Sequence, residues 1–520
     1  MQVPPYVGHG GIADTGWKLT SFSSPTRQAR VWFTTRPGFA VSAASLLAQY
    51  LLHESIRGVP FAPFAVGNRL IRLVPGSVAT EAIERLGHNA QPLLAGLLIG
   101  ITLALGAALG RRTPAIFGAL VFLLSMFAFS VDPVPHTLLQ NAEASTCAAL
   151  AAALVAWSIR PSVPSVWNSA EPRVDPDRRR LLQLRLLGGG ALALGGSALA
   201  RRRLRDGTSE AVRADSGAVE SADSAFDSIA GLSALVTSRD DHYLVDIDLD
   251  DPVVDGDGWR LKIGGAVAEQ RTYSLEQLQD LRTVEEPVVM QCISNTVGGS
   301  LVGNARWTGV LLSTLLTAAR PESPGRIVIA RAADGYTETI PLDGDVPDRV
   351  LVAFAMDGQV LPEGHGFPAR LIFPGRYGMR SVKWLTEIEV ITGEDEGYWE
   401  KRGWDREAIM GTASRIDVPQ HRGVTTSPLR IAGVAWAGDR RISAVEVSAD
   451  DGATWARAEL EREIGPLAWR RWSAEMTLAP GVYALLVRAY DGTGATQQAE
   501  RRSPHPFGAS GYHRVVVTVR

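Results

Sequence analysis

One cysteine in the second half of the chain carries the sharpest chemical signal. Cys292 closes the apolar run Val288-Val289-Met290-Gln291-Cys292 and is one of only two cysteines in 520 residues. The other, Cys147, sits in a stretch with membrane-type composition. Zinc and iron–sulfur sites need several ligands at close spacing, which one thiol cannot supply. A disulfide would have to join a membrane-type helix to a separate domain, against the geometric demands of the bond. Three readings remain: a buried structural cysteine, a nucleophile, or a single thiolate ligand to a metal held mainly by something else.

The company Cys292 keeps favours the last. Downstream come Gly303-Asn304-Ala305-Arg306-Trp307-Thr308-Gly309-Val310, then Gly364-His365-Gly366-Phe367-Pro368-Ala369-Arg370, then Pro374-Gly375-Arg376-Tyr377-Gly378-Met379-Arg380-Ser381-Val382-Lys383-Trp384-Leu385. This series, in this order, resembles the sulfite-oxidase-type molybdopterin oxidoreductases, and the apolar first part of the chain looks like the membrane-anchored bacterial branch of that family. The resemblance covers about residues 235–520. It implies the molybdenum-molybdopterin cofactor, with Cys292 as the molybdenum ligand and the pterin dithiolene supplying two further sulfurs. The redox chemistry would then belong to the cofactor, while the protein supplies binding, orientation and electrostatics.

The resemblance also distributes roles. His365, Arg370 and Lys383 match positions that contact the pterin or its phosphate. Arginine suits phosphate through its planar fork and lysine serves as a point charge. Backbone amides from Gly378 to Val382, with Arg380 and Ser381, would form an anion nest. Asn295 and Asn304 each offer a donor and an acceptor and are placed near the cofactor. His242 and Tyr243 fall on the leading strand from which aromatic and imidazole groups reach the pterin.

The substrate side departs from true sulfite oxidases, in which an arginine pair closely follows the cysteine. Here Asn295 is followed by Thr296-Val297-Gly298-Gly299, and Tyr243 by Leu244-Val245-Asp246. Sulfite is thereby placed in doubt. Arg306, Arg376, Arg380 and Arg415 are candidates to rebuild a cationic pocket, and Tyr377 is a candidate proton donor; a structural role stands open for each. The expected activity is oxygen-atom transfer on a small sulfur- or nitrogen-containing substrate outside the cytoplasm. No Cys-x-x-Cys-His haem attachment and no His-Pro-Gly-Gly segment occurs in the sequence. Electrons would therefore pass to or from a separate carrier, such as a quinol or a cytochrome. A non-catalytic extracytoplasmic binding or adhesion protein on the same fold is the alternative. A transporter is disfavoured by the lack of intramembrane charge pairs and internal repeats.

These groups need elements to hold them, and the chain is too long for one domain. Its net charge of -3 gives no sign of a nucleic-acid partner. A mean hydropathy of +0.04 conceals a strongly apolar first part. Five blocks, 39–56, 92–109, 114–131, 142–159 and 181–200, approach the roughly 17–25 residues that span a bilayer. They predict a helical membrane domain of about five helices over 1–205, hence a multi-pass membrane protein. The arginine-bearing loops suggest a cytoplasmic N-terminus, although Arg57, Arg69, Arg72, Arg85 and Arg201 to Arg203 would then lie outside. Arg179-Arg180-Leu181-Leu182 resembles a twin-arginine export signal, a route that would suit a domain folded around its cofactor before export.

Residues 206–235, rich in Ser, Ala, Asp, Glu and Gly, read as a flexible tether. From 236 to 415, strand-like runs such as Trp259-Arg260-Leu261-Lys262-Ile263 mix with helical stretches such as Leu275-Glu276-Gln277-Leu278, predicting an α+β catalytic domain. From 416 to 520, alternating runs separated by Asp-Gly turns predict an immunoglobulin-like β-sandwich. By resemblance this last domain mediates dimerisation, making a homodimer the expected assembly.

Overall fold

The computed structural model describes residues 37–56, 59–86, 90–109, 125–130, 141–142, 144–151, 225–322 and 327–520. The catalytic-type region is built on two sheets. One has the order β2-β1-β10-β5-β6, from β1 (Leu261–Gly265), β2 (Arg271–Tyr273), β5 (Ile327–Ala332), β6 (Thr337–Pro341) and β10 (Leu385–Ile391). The other has the order β3-β4-β7-β8, from β3 (Val284–Gln291), β4 (Val302–Leu311), β7 (Leu351–Met356) and β8 (Gln359–Val360), with β9 (Arg370–Ile372) also paired to β7. Between them lies a core of Leu261, Ile263, Val328, Ile388, Val352, Phe354 and Leu371, closed by Leu315 and Leu316 of the helix Leu312–Ala319.

The run that announced Cys292 is central to the second sheet. β3 and β4 pair antiparallel, Met290 opposite Gly303 and Gln291 opposite Val302. Successive side chains alternate between faces. Val288 and Met290 enter one apolar cluster with Trp307 and Met356, whereas Val289 enters another with Tyr377, Trp436 and Trp469. Cys292 follows at the strand's end, its N–H donating to the Leu301 carbonyl at 3.0 Å. The register of β3 thus sets which side the thiol faces.

Residues 413–520 form two further sheets, β11-β13-β17-β16 and β12-β19-β18-β14-β15. The strands are β11 (Ala413–Val418), β12 (Val424–Thr425), β13 (Leu429–Trp436), β14 (Ile442–Ser448), β15 (Ala456–Arg457), β16 (Glu459–Leu460), β17 (Arg470–Met476), β18 (Gly481–Asp491) and β19 (His513–Val519). Both sheets contribute to one core, with Leu429, Ile431 and Trp472 facing Val445, Val447, Leu485, Val487 and Val517. This is a two-layer β-sandwich. The expected tether is described only from residue 225, and there it is seated rather than free. Phe226 is buried, with Arg471 of the sandwich over its ring, and the Leu235 carbonyl accepts from Asn304 Nδ2 and Trp469 Nε1, both at 2.8 Å.

The expected five-helix membrane domain, and with it the multi-pass location, is corrected. Among the described residues no helix is long and apolar enough to cross a membrane. The first block does form a helix, α1 (Pro37–Ser55). Several of its polar residues turn inward: Gln49 is buried and donates to Ser125 Oγ at 3.0 Å, and half-buried His53 bonds the Val59 carbonyl. The following stretch splits into two short helices, α2 (Ala62–Leu73) and α3 (Gly76–Leu86), and the second block forms α4 (Ala90–Leu109). Their apolar residues are partly spent on packing within the unit, around Val59, Phe61, Ala65, Phe129 and Ala144. Hydropathy registers apolar composition, but it does not distinguish lipid from protein as the surface covered. Blocks 114–131 and 142–159 are described only in part, and block 181–200 with its paired arginines lies outside the described residues.

Three polar anchors join α2 and α4 to the catalytic region. Arg72 donates to both carboxylate oxygens of Asp248, at 3.3 and 2.6 Å, and to the Asp334 carbonyl. Asn68 donates to Asp250 and accepts from Leu249 N–H, both at 2.7 Å. Gln91 donates to the carbonyls of Asp246 and Asp248 at 2.8 and 3.2 Å.

Candidate active site

A cavity of about 500 Å³ opens where these parts meet. This is within the usual range for a small-molecule or cofactor site. Cys292, His242, Tyr243, His365, Arg370, Ser381 and Lys383 all line it, so residues far apart in the chain converge on the single thiol.

Each is placed by a local constraint. The rings of His242 and Tyr243 stack at 5.2 Å, and His242 meets the edges of Trp307 and His365 at 5.9 and 5.4 Å. A Cβ at Gly303 would lie 2.6 Å from the His242 ring, and one at Gly378 would lie 2.4 Å from the Tyr243 hydroxyl. Glycine at both positions is what allows these rings to seat. His365 Nε2 donates to the Arg239 carbonyl at 2.9 Å. Arg370 is buried on β9 with its guanidinium 4.9 Å above Trp307, donating to the carbonyls of His365 and Ser381 at 2.9 and 3.2 Å. Lys383 donates to the Gly364 carbonyl at 2.8 Å and pairs with Asp246.

Burial sets the protonation states. It pushes His242 down to about 3, helped by the neighbouring His365 and Arg370, and His365 down to about 4. Both imidazoles are therefore neutral near pH 7, able to donate from one nitrogen and accept at the other. Burial raises the Cys292 thiol, against a Ser294 hydroxyl at 3.0 Å that pulls the other way. Burial also lowers Arg370 to about 10, which leaves it charged.

The remaining candidates lie outside the lining. Asn295 is buried and accepts from Leu301 N–H at 3.1 Å, shaping the loop after the thiol. Asn304 ties residue 235 to the sandwich, accepting from Trp469 N–H at 3.3 Å. Arg306 faces Glu285 across the β3–β4 pair, 3.9 Å away. Arg380 is buried between Glu338 and Glu400, at 2.6 Å from each. Tyr377 is buried in the apolar cluster shared with the sandwich, its hydroxyl accepting from Gly411 N–H. Arg376 stands over Phe373, and Arg415 is held by Asp417, Gly299 and Ser233. None of the four arginines expected to form a cationic pocket lines this cavity. Residues the sequence reading missed include Asp246, Ser294, Asp334 and Tyr336, and an apolar wall from α2 to α4.

The site suits a pterin-held metal. Among the described residues no three His, Cys, Asp or Glu side chains converge to bind a metal by themselves, so a metal at Cys292 would draw its other ligands from an organic cofactor. His242 Nε2 is buried without a partner, an orphaned polar atom of the kind that a bound group satisfies. Two neutral imidazoles, a guanidinium and an ammonium group match a ring rich in donors and acceptors that ends in a phosphate.

Comparison with known proteins points the same way. Residues 248–399 match the oxidoreductase molybdopterin binding domain, and residues 408–520 match the Mo-co oxidoreductase dimerisation domain. Residues 248–520 belong to the sulfite-oxidase-type molybdopterin oxidoreductases. Both the matched domain and the relatives imply the molybdenum cofactor. Mitochondrial sulfite oxidase of Macaca fascicularis is 30% identical over 278 residues, 44% of this chain and 51% of that protein. The NADPH nitrate reductase of Fusarium oxysporum is 31% identical over 263 residues, 41% of this chain and 29% of that protein. The chain spans about half the length of the sulfite oxidases it matches first. Among solved structures, the sulfane dehydrogenase SoxCD of Paracoccus pantotrophus aligns with a TM-score of 0.48 at 22% identity, covering 56% of this chain and 84% of that one.

Proposed function

We propose that this protein is a molybdenum-cofactor oxidoreductase that transfers an oxygen atom to or from a small sulfur- or nitrogen-containing substrate, exchanging electrons with a separate carrier. The observation that carries this reading is the placement of Cys292. Its thiol lies on the wall of the cavity toward which His242, His365, Arg370 and Lys383 converge.

The cofactor, when bound, supplies a two-electron exchange of the form X + H₂O ⇌ XO + 2 H⁺ + 2 e⁻. The chain's own residues bind and orient. Cys292 would give up its proton and serve as the thiolate ligand, since a bound metal deprotonates a coordinating thiol outright. His242 and His365, held neutral, would hydrogen-bond the pterin ring, and Tyr243 would pack beside it. Arg370 and Lys383 would face the phosphate, their carbonyl partners fixing the direction of their remaining N–H groups. The ring of Tyr243, stacked on His242, would cover part of the bound ring from water. The dimerisation-domain match suggests a homodimer assembled through residues 408–520.

The test is the molybdenum and pterin content of the full chain, purified from a host that makes the cofactor, beside its Cys292→Ser variant. The expected result is near-stoichiometric metal and pterin in the parent, with reduced-dye turnover abolished in the variant. Folded protein with neither metal nor pterin would overturn the reading and favour a binding module.

A further inference from the structure

Part of the cavity wall comes from the N-terminal helices and, Gln91 apart, is apolar. Ile71 and Val74 at the end of α2, Val78 and Ala82 on α3, and Leu94 on α4 face the same cavity as Cys292 and Ser294. Arg72 and Asn68 fix α2, and Gln91 fixes α4, to Asp248, Asp250 and Asp246, a segment whose first residues, Asp246 and Ile247, line the site.

The charges of the cavity are already committed. Its lining carries two cations, Arg370 and Lys383, and two carboxylates, Asp246 and Asp334. Arg370 is held by backbone carbonyls and Lys383 by a carbonyl and Asp246, and on the proposed reading their remaining N–H groups are taken by the pterin phosphate, so neither is left for the substrate. An incoming sulfite or nitrate would meet a hydrocarbon wall and the Asp334 side chain, and would shed its hydration without a free cation to replace it. A neutral molecule with a hydrocarbon group loses little hydration and covers apolar wall as it enters.

We infer that α2, α3 and α4 form a specificity wall that selects a neutral organic substrate, with a hydrocarbon substituent beside the sulfur or nitrogen that carries the oxygen, over inorganic oxyanions. This rests on the proposed function above, because it takes Cys292 to mark the reacting centre.

The experiment measures binding, not turnover, on the full chain whose molybdenum and pterin content has first been determined. Methyl phenyl sulfoxide, methyl phenyl sulfide, sulfite and nitrate are titrated by calorimetry into the loaded protein, into Ala82→Arg, and into Leu94→Gln as a milder change should the first not fold. The expected result is that one of the two aryl ligands binds at least about tenfold more tightly than either anion. Ala82→Arg should reduce or reverse that preference by about tenfold, a change of about 1.4 kcal/mol, and Leu94→Gln should weaken aryl binding in the same direction. Anion binding equal to or tighter than aryl binding, or a preference untouched by both variants, overturns the inference and leaves the proposed function standing. Protein without metal or pterin overturns the proposed function and the inference together.

Discussion

At the scale of single residues, the site is governed by how few charges it leaves free. His242 and His365 are neutral because burial disfavours the imidazolium, with folded values of about 3 and 4 against about 6.5 in an open chain. A lowered histidine value means that the unfolded chain binds the proton more readily. The stabilising contribution is therefore fully present above about pH 6.5 and is lost as pH falls from there toward 4 and then 3. Imidazole carbon shifts of these two residues should stay at the neutral position down to pH 5. An imidazolium signal from either at pH 6 would contradict the burial that defines the site. Cys292 gives the second residue-scale prediction. Serine keeps the shape but cannot replace a soft thiolate, so Cys292→Ser should lose at least about 100-fold in turnover, beyond the usual 10–100-fold cost of disturbing groups behind a metal ligand. Its melting temperature in the cofactor-free form should stay near that of the parent. Cys292 and His365 stood out in the sequence through the motifs around them, whereas His242 matched only loosely on an entry strand, and all three line the one cavity. Tyr377 and Arg380, from the same motif as Ser381 and Lys383, do not line the cavity, because a sequence pattern does not separate the side of a loop that faces a cavity from the side that faces the core.

At the scale of elements, polar clamps decide how the loops sit. Arg380 lies on the single turn Gly378–Arg380, and its Nη1 reaches Glu338 on β6 and Glu400 on a second turn, with side-chain exposures of 5, 0 and 2%. Burial and the nearby Glu400 raise Glu338 to about 7, while Arg380 pulls it down. Removing the arginine would leave two buried carboxylates facing each other. Arg380→Met should therefore destabilise the protein by about 3–5 kcal/mol and lower its denaturation midpoint, and Glu338→Gln in the same background should recover part of the loss. If Arg380 instead served mainly to bind the cofactor, stability would hardly change and cofactor content would fall. The α+β and β-rich character of 236–520 was legible from alternation and Asp-Gly turns. The N-terminal helices were not read correctly, because the same pattern serves two surfaces. On α4, which forms the second apolar block, Leu94 lines the cavity while Leu93, Leu97 and Leu105 stay exposed, so one apolar run meets two different surroundings.

At the scale of the whole molecule, the catalytic region and the sandwich share a core instead of merely touching. One cluster draws Val289, Ile293, Val302, Tyr377, Met379 and Trp404 from the first and Val434, Trp436 and Trp469 from the second. Trp436 Nε1 donates to Gln291 Oε1 at 2.8 Å, one residue before Cys292. The loop that carries the thiol is thus braced by the neighbouring domain. Two consequences follow from a joint of this kind. Calorimetry of the full chain should show residues 225–520 unfolding in one transition, since neither half keeps its packing when the other melts. Tyr377→Ala should then act as a lesion in that joint, costing about 3–5 kcal/mol as an aromatic residue removed from a core, and it should lower the melting of both halves together. Tyr377→Phe keeps the ring and loses only the hydroxyl that accepts from Gly411, so turnover and cofactor content should stay within about twofold of the parent, consistent with the modest net worth of one hydrogen bond. A large loss of turnover in Tyr377→Phe with unchanged stability would instead return Tyr377 to the role of proton donor, and would require its ring to turn out of the shared core toward the cavity.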